Sequence, residues 1–220
     1  MKSAAVAAFA LALCLPMAAW SAPPDTGGVR AEIRRDLDAA RQEIRSDLAK
    51  ARAELESENL DVGNSLQFDG DRRRKAAADA KLPKAEITPR GDFLIDGEAV
   101  AIDAAQRRQL LAYRGQVIDI AKAGIDIGEV TALAAVDSVD RGVFSLMVGA
   151  MTGSLERRIE RSVRETVGPG VLLICDRMPA LRDAQQRLAA DLPAFRPYAR
   201  LEPQDADACR NDVRREFARR

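Results

Sequence analysis

The chain has 220 residues, 47% of them hydrophobic, with Lys plus Arg and Asp plus Glu equal at 34 each and no histidine. Balanced charge gives no long-range attraction to nucleic acid or acidic surfaces, so nucleic acid is not an expected partner. The missing histidine excludes Ser-His-Asp and Cys-His catalysis and the commonest metal ligand, and the sequence has no CxxC, GxGxxG or P-loop pattern, so no cofactor is expected.

Lys2, the apolar run 4–15 and Pro16, followed by the small residues Ala18, Ala19 and Ser21, have the layout of a cleavable signal peptide. Residues 1–21 are the expected leader. Cleavage after Ser21 puts Ala19 and Ser21 at the two small-residue positions, whereas cleavage after Ala22 would put Trp20 at one of them and Pro23 across the bond. The apolar run is short of the roughly 20 residues that span a bilayer, which argues against an anchor. Lipidation at Cys14 is the other rival, with Leu13 standing where a small residue is expected. The mature protein is therefore expected in the periplasm. Cleavage leaves Cys175 and Cys209, and an even pair in an oxidising compartment points to a disulfide, with two buried thiols as the alternative.

Over 22–58 the apolar residues Val29, Ile33, Leu37, Ala40, Ile44, Leu48, Ala51 and Leu55 recur by threes and fours, which predicts one long amphipathic helix. An 11-residue repeat underlies it, AEIRRDLDAAR followed by QEIRSDLAKAR. Eleven residues advance a helix about 20° past three full turns, so the stripe runs nearly straight. Ile33, Leu37, Ile44, Leu48 and Leu55 are the expected interaction face. Its cover is either the rest of this chain or a second copy; a membrane surface is the alternative. Against lipid, the polar face mixes Glu32 with Arg35, Asp38 with Arg41 and Asp47 with Lys50, and it lacks Trp and Phe.

Residues 59–84 break the pattern with Gly63, Asn64, Gly70 and Pro83 and read as a flexible basic linker carrying Arg72, Arg73, Arg74 and Lys75. No aromatic residue interleaves that cluster for base stacking. Asp69, Gly70 and Asp71 do not complete a calcium loop, and no metal site is expected.

The segment 85–220 is expected to be a helical domain with one small β-hairpin, so the fold class is mostly α with a minor β part. Phe93 to Ile95 and Ala99 to Ile102 flank Asp96-Gly97, the strongest short hairpin signal, because a type I′ turn needs positive φ at both central positions. Asp103 and Gln106 form a capping box that opens a helix expected to stop at Gly124. Further helical patterns cover 128–136 and 143–167, the second ended by Gly168-Pro169-Gly170. The run 171–175 reads either as a buried strand or as the start of a helix. Leu181, Gln185, Leu188 and Leu192 form another helical stripe closed by Pro193, and a last helix carries Cys209, Val213 and Phe217. Gly149 and Gly153 make a GxxxG whose bland reading is close packing within the domain. Asp92, Asp96, Glu98 and Asp103 cluster around the hairpin and offer carboxylate pairs of the kind used in glycoside cleavage. Asp96 and Asp103 are already assigned to a turn and a cap, so no catalytic residue is expected.

ITPRGDFLIDGEAVAIDAAQRRQLLAYR, followed by LPAFRPYARL and Cys209, resembles the YggN-type family of exported proteobacterial proteins, a domain of unknown function. The resemblance covers residues 86–209. It implies a periplasmic location and contributes no catalytic residue. The expected function is a non-catalytic periplasmic role through protein–protein interaction or self-association by the N-terminal helix. Peripheral membrane binding through that helix is the alternative, and a carboxylate hydrolase is third.

Overall fold

A computed structural model describes residues 26–63, 82–140 and 154–218. The expected leader 1–21, the calcium-like triplet 69–71, the basic cluster 72–75 and the Gly149–Gly153 pair lie outside them. Helix α1 (Thr26–Ser57) is followed by β1 (Leu60–Asp61), β2 (Ala85–Ile87), β3 (Phe93–Ile95) and β4 (Glu98–Ala99), then by α2 (Ala104–Asp140) and α3 (Ser154–Asp191). A 3₁₀ segment (Pro193–Tyr198) and α4 (Asp205–Ala218) close the described chain. The protein is mostly helical with one small antiparallel sheet.

The hairpin forms where Asp96 (φ 50°) and Gly97 (φ 81°) both take the positive φ of a type I′ turn. Leu94 then pairs with Ala99, and Ile95 with Glu98. The sheet is larger than the hairpin. β2 pairs along β3 with Ile87 opposite Phe93, and β1 adds at the far edge with Leu60 opposite Ile87, giving the order β1-β2-β3-β4.

These strands correct the expected linker at both ends. Val62 is buried and donates its backbone N–H to the Ala85 carbonyl at 2.9 Å. At the other end the Tyr198 hydroxyl donates to the Pro83 carbonyl at 2.9 Å, and the Lys84 N–H donates to Asp96 Oδ1 at 2.9 Å. A strand of two residues is too short to show an alternation of its own, and the neighbouring strand's free edge is what recruits it.

The capping box opens α2 as the spacing predicts. The Ala105 and Gln106 N–H groups donate to Asp103 Oδ1 at 2.7 and 2.8 Å, and the Asp103 N–H donates to Gln106 Oε1 at 2.9 Å. The expected stop at Gly124 does not occur, because α2 runs unbroken through Gly124 and Gly128 to Asp140. A helical glycine costs only about 1 kcal/mol relative to alanine, and the stripe Leu110, Tyr113, Val117 and Ile120 carries on to a partly buried Ile127.

The expected end at Gly168-Pro169-Gly170 is likewise overturned, since α3 continues through it and through Pro179. Run 171–175 is therefore helix. Each interior proline removes one backbone bond and costs about 3 kcal/mol. Against that, Ile174, Met178, Leu181 and Leu188 all become buried, each contributing about 1.5–3 kcal/mol on the side-chain transfer scale. Gly170 has its own reason to be glycine: a Cβ there would lie 2.6 Å from Ile127 Cγ1, so α2 and α3 cross closely at this point.

The core sits where the sheet covers the lower halves of α2 and α3. Phe195 is its hub, with ring centroids 5.6 Å from both Phe93 and Tyr113 and 6.4 Å from Tyr198. Buried Gln185 is satisfied, donating to the Tyr113 hydroxyl at 3.1 Å and accepting the Leu201 N–H at 2.8 Å. Cys175 of α3 and Cys209 of α4 form a disulfide, Cα to Cα 5.7 Å, inside a separate cluster with Met178, Ala206 and Val213.

Candidate functional site

The feature with the clearest sequence signature is α1, and the structure lays its stripe on α2. On α1 the half-buried side chains are Ile33, Leu37, Ala40, Arg41, Ile44, Leu48, Ala51, Arg52 and Leu55, with exposed residues between them. Arg41 donates through Nε and Nη2 to Asp137 Oδ1 at 3.1 and 2.9 Å. Arg52 donates through Nη2 to Asp126 Oδ1 at 2.7 Å and to Glu129 Oε2 at 2.8 Å. Lys122 pairs with Glu56. As α1 ascends its partners descend, so the two helices are antiparallel.

The ladder has the period of the repeat. Arg41 and Arg52 close successive 11-residue units, and their partners Asp137 and Asp126 are also 11 residues apart. Equal steps on both helices keep the arginines over the same groove of α2, for the same reason that the apolar stripe stays straight.

The lower end of α1 is held differently. Arg114 of α2, only 7% exposed, donates through Nη2 to the carbonyls of Leu55, Glu56 and Glu58 at 3.0, 2.9 and 2.8 Å. Those are carbonyls that the end of a helix leaves without partners, so the guanidinium acts as a C-terminal cap supplied from another helix. Burial pulls the Arg114 guanidinium below its ordinary pKa, with Glu56 opposing. The hydrogen bond from Lys122 holds the Glu56 carboxyl below its usual range, and those to Glu129 and Asp126 raise Arg52 above its own.

All five expected interface residues, Ile33, Leu37, Ile44, Leu48 and Leu55, share this seam face, and every one keeps part of its surface. From residue 31 to 57 no α1 side chain is fully buried. What α1 turns away from α2 includes Arg34, Arg35, Glu43 and Arg45, all exposed, a face of mixed charge. Among the described residues no helix is long and apolar enough to cross a membrane.

Three of the four hairpin carboxylates have separate structural partners. Asp92 binds Arg107 and accepts the Thr88 hydroxyl at 3.1 Å, and the Arg107 hydrogen bond holds its carboxyl below the usual range. Arg107 also donates to the Arg90 carbonyl at 3.2 Å, tying the 88–92 turn to α2. Gly91 in that turn is buried, has φ 81°, and would place a Cβ 2.7 Å from Leu111 Cγ, so only glycine fits. Asp96 accepts the Lys84 N–H, Asp103 caps α2, and Glu98 is exposed on β4. No group of three or more Cys, Asp or Glu suited to a metal occurs among the described residues.

Arg41, Arg52 and Arg114 are the seam residues that the apolar pattern does not reveal. The repeat carries a signal for the first two, since both stand at its closing position beside the stripe. Nothing local marks Arg114. The fold and seam together define a mostly helical protein with a helical arm rising from a small sheet-covered base. Comparison with family models, with curated proteins and with solved structures finds no match to this chain.

Proposed function

We propose that this is an exported, non-catalytic periplasmic protein that works by contacts along the α1–α2 seam, with a second copy or with another envelope protein. The supporting observation is the incompleteness of the seam: α1 packs chiefly on α2, and its whole stripe stays half-covered. A further helix laid along it would bury that remaining apolar surface. Export is supported by the layout of residues 1–21 and by the Cys175–Cys209 bridge, which suits an oxidising compartment. The resemblance of residues 86–209 to the YggN-type family implies the same placement.

Photo-crosslinking in intact envelopes tests the reading. Probes at exposed Asp47 and Glu54, beside the stripe, should give adducts heavier than one chain, while probes at exposed Ser46 and Ala53 on the opposite side should not. Light scattering of the mature chain separates the two partners, a mass above one chain meaning self-association. A monomer without adducts, or adducts only from Ser46 and Ala53, would refute it.

A further inference from the structure

On α2 the buried core stops at one level, and glycines of α2 meet glycine and proline of α3 at that level. On α2 the core runs through Ile120 to a partly buried Ile127, and on α3 it includes Ile174. Beyond this level α2 has no fully buried side chain from residue 129 to 137. At the boundary α2 carries Gly124 and Gly128, and α3 carries Gly168, Pro169 and Gly170. Gly170 is accounted for by its close crossing with Ile127, but a Cβ at Gly124 or Gly128 would meet nothing within 4 Å. Packing does not ask for glycine there, and glycine weakens a helix by leaving its backbone free to adopt other conformations. Pro169 leaves the Glu165 carbonyl without its helical partner, a usual cause of a kink. Both helices are thus weakened at one height.

Among the described helices, only α1 spans that height without glycine or proline. Below, it is fastened by Arg114 and by the Lys122–Glu56 pair; above, by Arg41 on Asp137; Arg52 reaches Asp126 and Glu129 at the boundary itself. We infer that residues 124–128 and 168–170 form a hinge between arm and base, and that α1 is a splint whose arginine ladder holds the hinge straight. Loosening the ladder frees the arm to bend. This inference does not depend on what the seam binds.

Spin labels at Ala112→Cys and Ala134→Cys, both exposed on α2 and on either side of Gly124, measure the bend. A straight helix separates them by about 33 Å. In the oxidised full chain the native distribution should be narrow. Arg41→Ala with Arg52→Ala should add a tail of shorter distances, and adding Gly124→Ala, Gly128→Ala and Pro169→Ala should remove it. Asp126→Asn, Glu129→Gln and Asp137→Asn together release the same ladder from the other helix and should reproduce the tail if the arginine variant misfolds. A second label pair, Ala112→Cys and Arg187→Cys, lies within the base and should not move. The inference is overturned if both ladder variants keep the native distribution, or if the tail survives the stiffening substitutions.

Discussion

The two halves of α2 are held by different physics. From Leu110 to Ile120 it contributes buried apolar side chains to a core shared with the sheet, α3 and the 3₁₀ segment. From Glu129 to Asp137 it has none, and its attachment to α1 relies on a half-covered stripe and charged side chains at the surface. Apolar burial is non-directional and insensitive to salt, whereas exposed ion pairs are each worth under about 1 kcal/mol and are screened. The base should therefore unfold as a unit, while the arm should open locally at lower free energy.

The largest effect is expected in the base. Phe195→Ala removes the ring that touches Phe93, Tyr113 and Tyr198 and should cost about 3–5 kcal/mol, read as a fall in the urea midpoint. Cys175→Ala with Cys209→Ala opens a loop of sequence separation 34 and should cost about 3–4 kcal/mol in the chain-entropy account. Denaturation with and without reductant checks it, and α4 should lose amide protection before the aromatic core does. A result in which α4 and the core lose protection together would erase the distinction between the two clusters.

Arg114→Met should cost about 2 kcal/mol by leaving three carbonyls at the end of α1 without their charged donor. Hydrogen exchange should then rise along α1 and stay unchanged in α3. Leu48→Ala, on the half-covered stripe, should cost about 1–2 kcal/mol, clearly less than Phe195→Ala, because only part of that side chain leaves water on folding. If it costs as much as the core substitution, the arm is not the weaker half.

The smallest effect is the acid response. Glu56 and Asp92 both titrate below their ordinary values in the folded chain. Their pairs with Lys122 and Arg107 therefore add stability above the unfolded carboxylate pKa of about 4 and lose it as pH falls through the depressed folded values. Amide protection near Glu56, taken relative to the intrinsic exchange rate at each pH, should fall as pH drops below about 4. Raised salt at neutral pH should produce part of the same change at Glu56. Acid without effect on α1 would remove Lys122–Glu56 from its fastenings.

Much of the local structure was legible because short-range rules govern it. Asp96-Gly97 requires a particular turn, Asp103 and Gln106 satisfy one helix start between them, and the 11-residue repeat specifies both α1 and the face it buries. Less legible was everything decided by a partner distant in sequence. Gly124 and Gly168-Pro169-Gly170 look like helix ends when read alone, yet the helices continue because Ile127 and Ile174 find cover in the core that α2 and α3 share and Met178 finds it against α4. β1 depends on an edge that β2 provides, and the Arg114 cap joins groups more than fifty residues apart, at sequence separations of 56 to 59.

For this protein, then, composition and spacing alone pointed to the mostly helical class, the hairpin, the caps, the seam face and the pairing of Cys175 with Cys209. Tertiary structure alone decided which helices run through their breakers, which strands complete the sheet and which helix covers the stripe. The reason is one of range. Turns, caps and amphipathic periodicity are settled within a few residues, whereas a break in a helix is tolerated or not according to apolar surface that another part of the chain must bury.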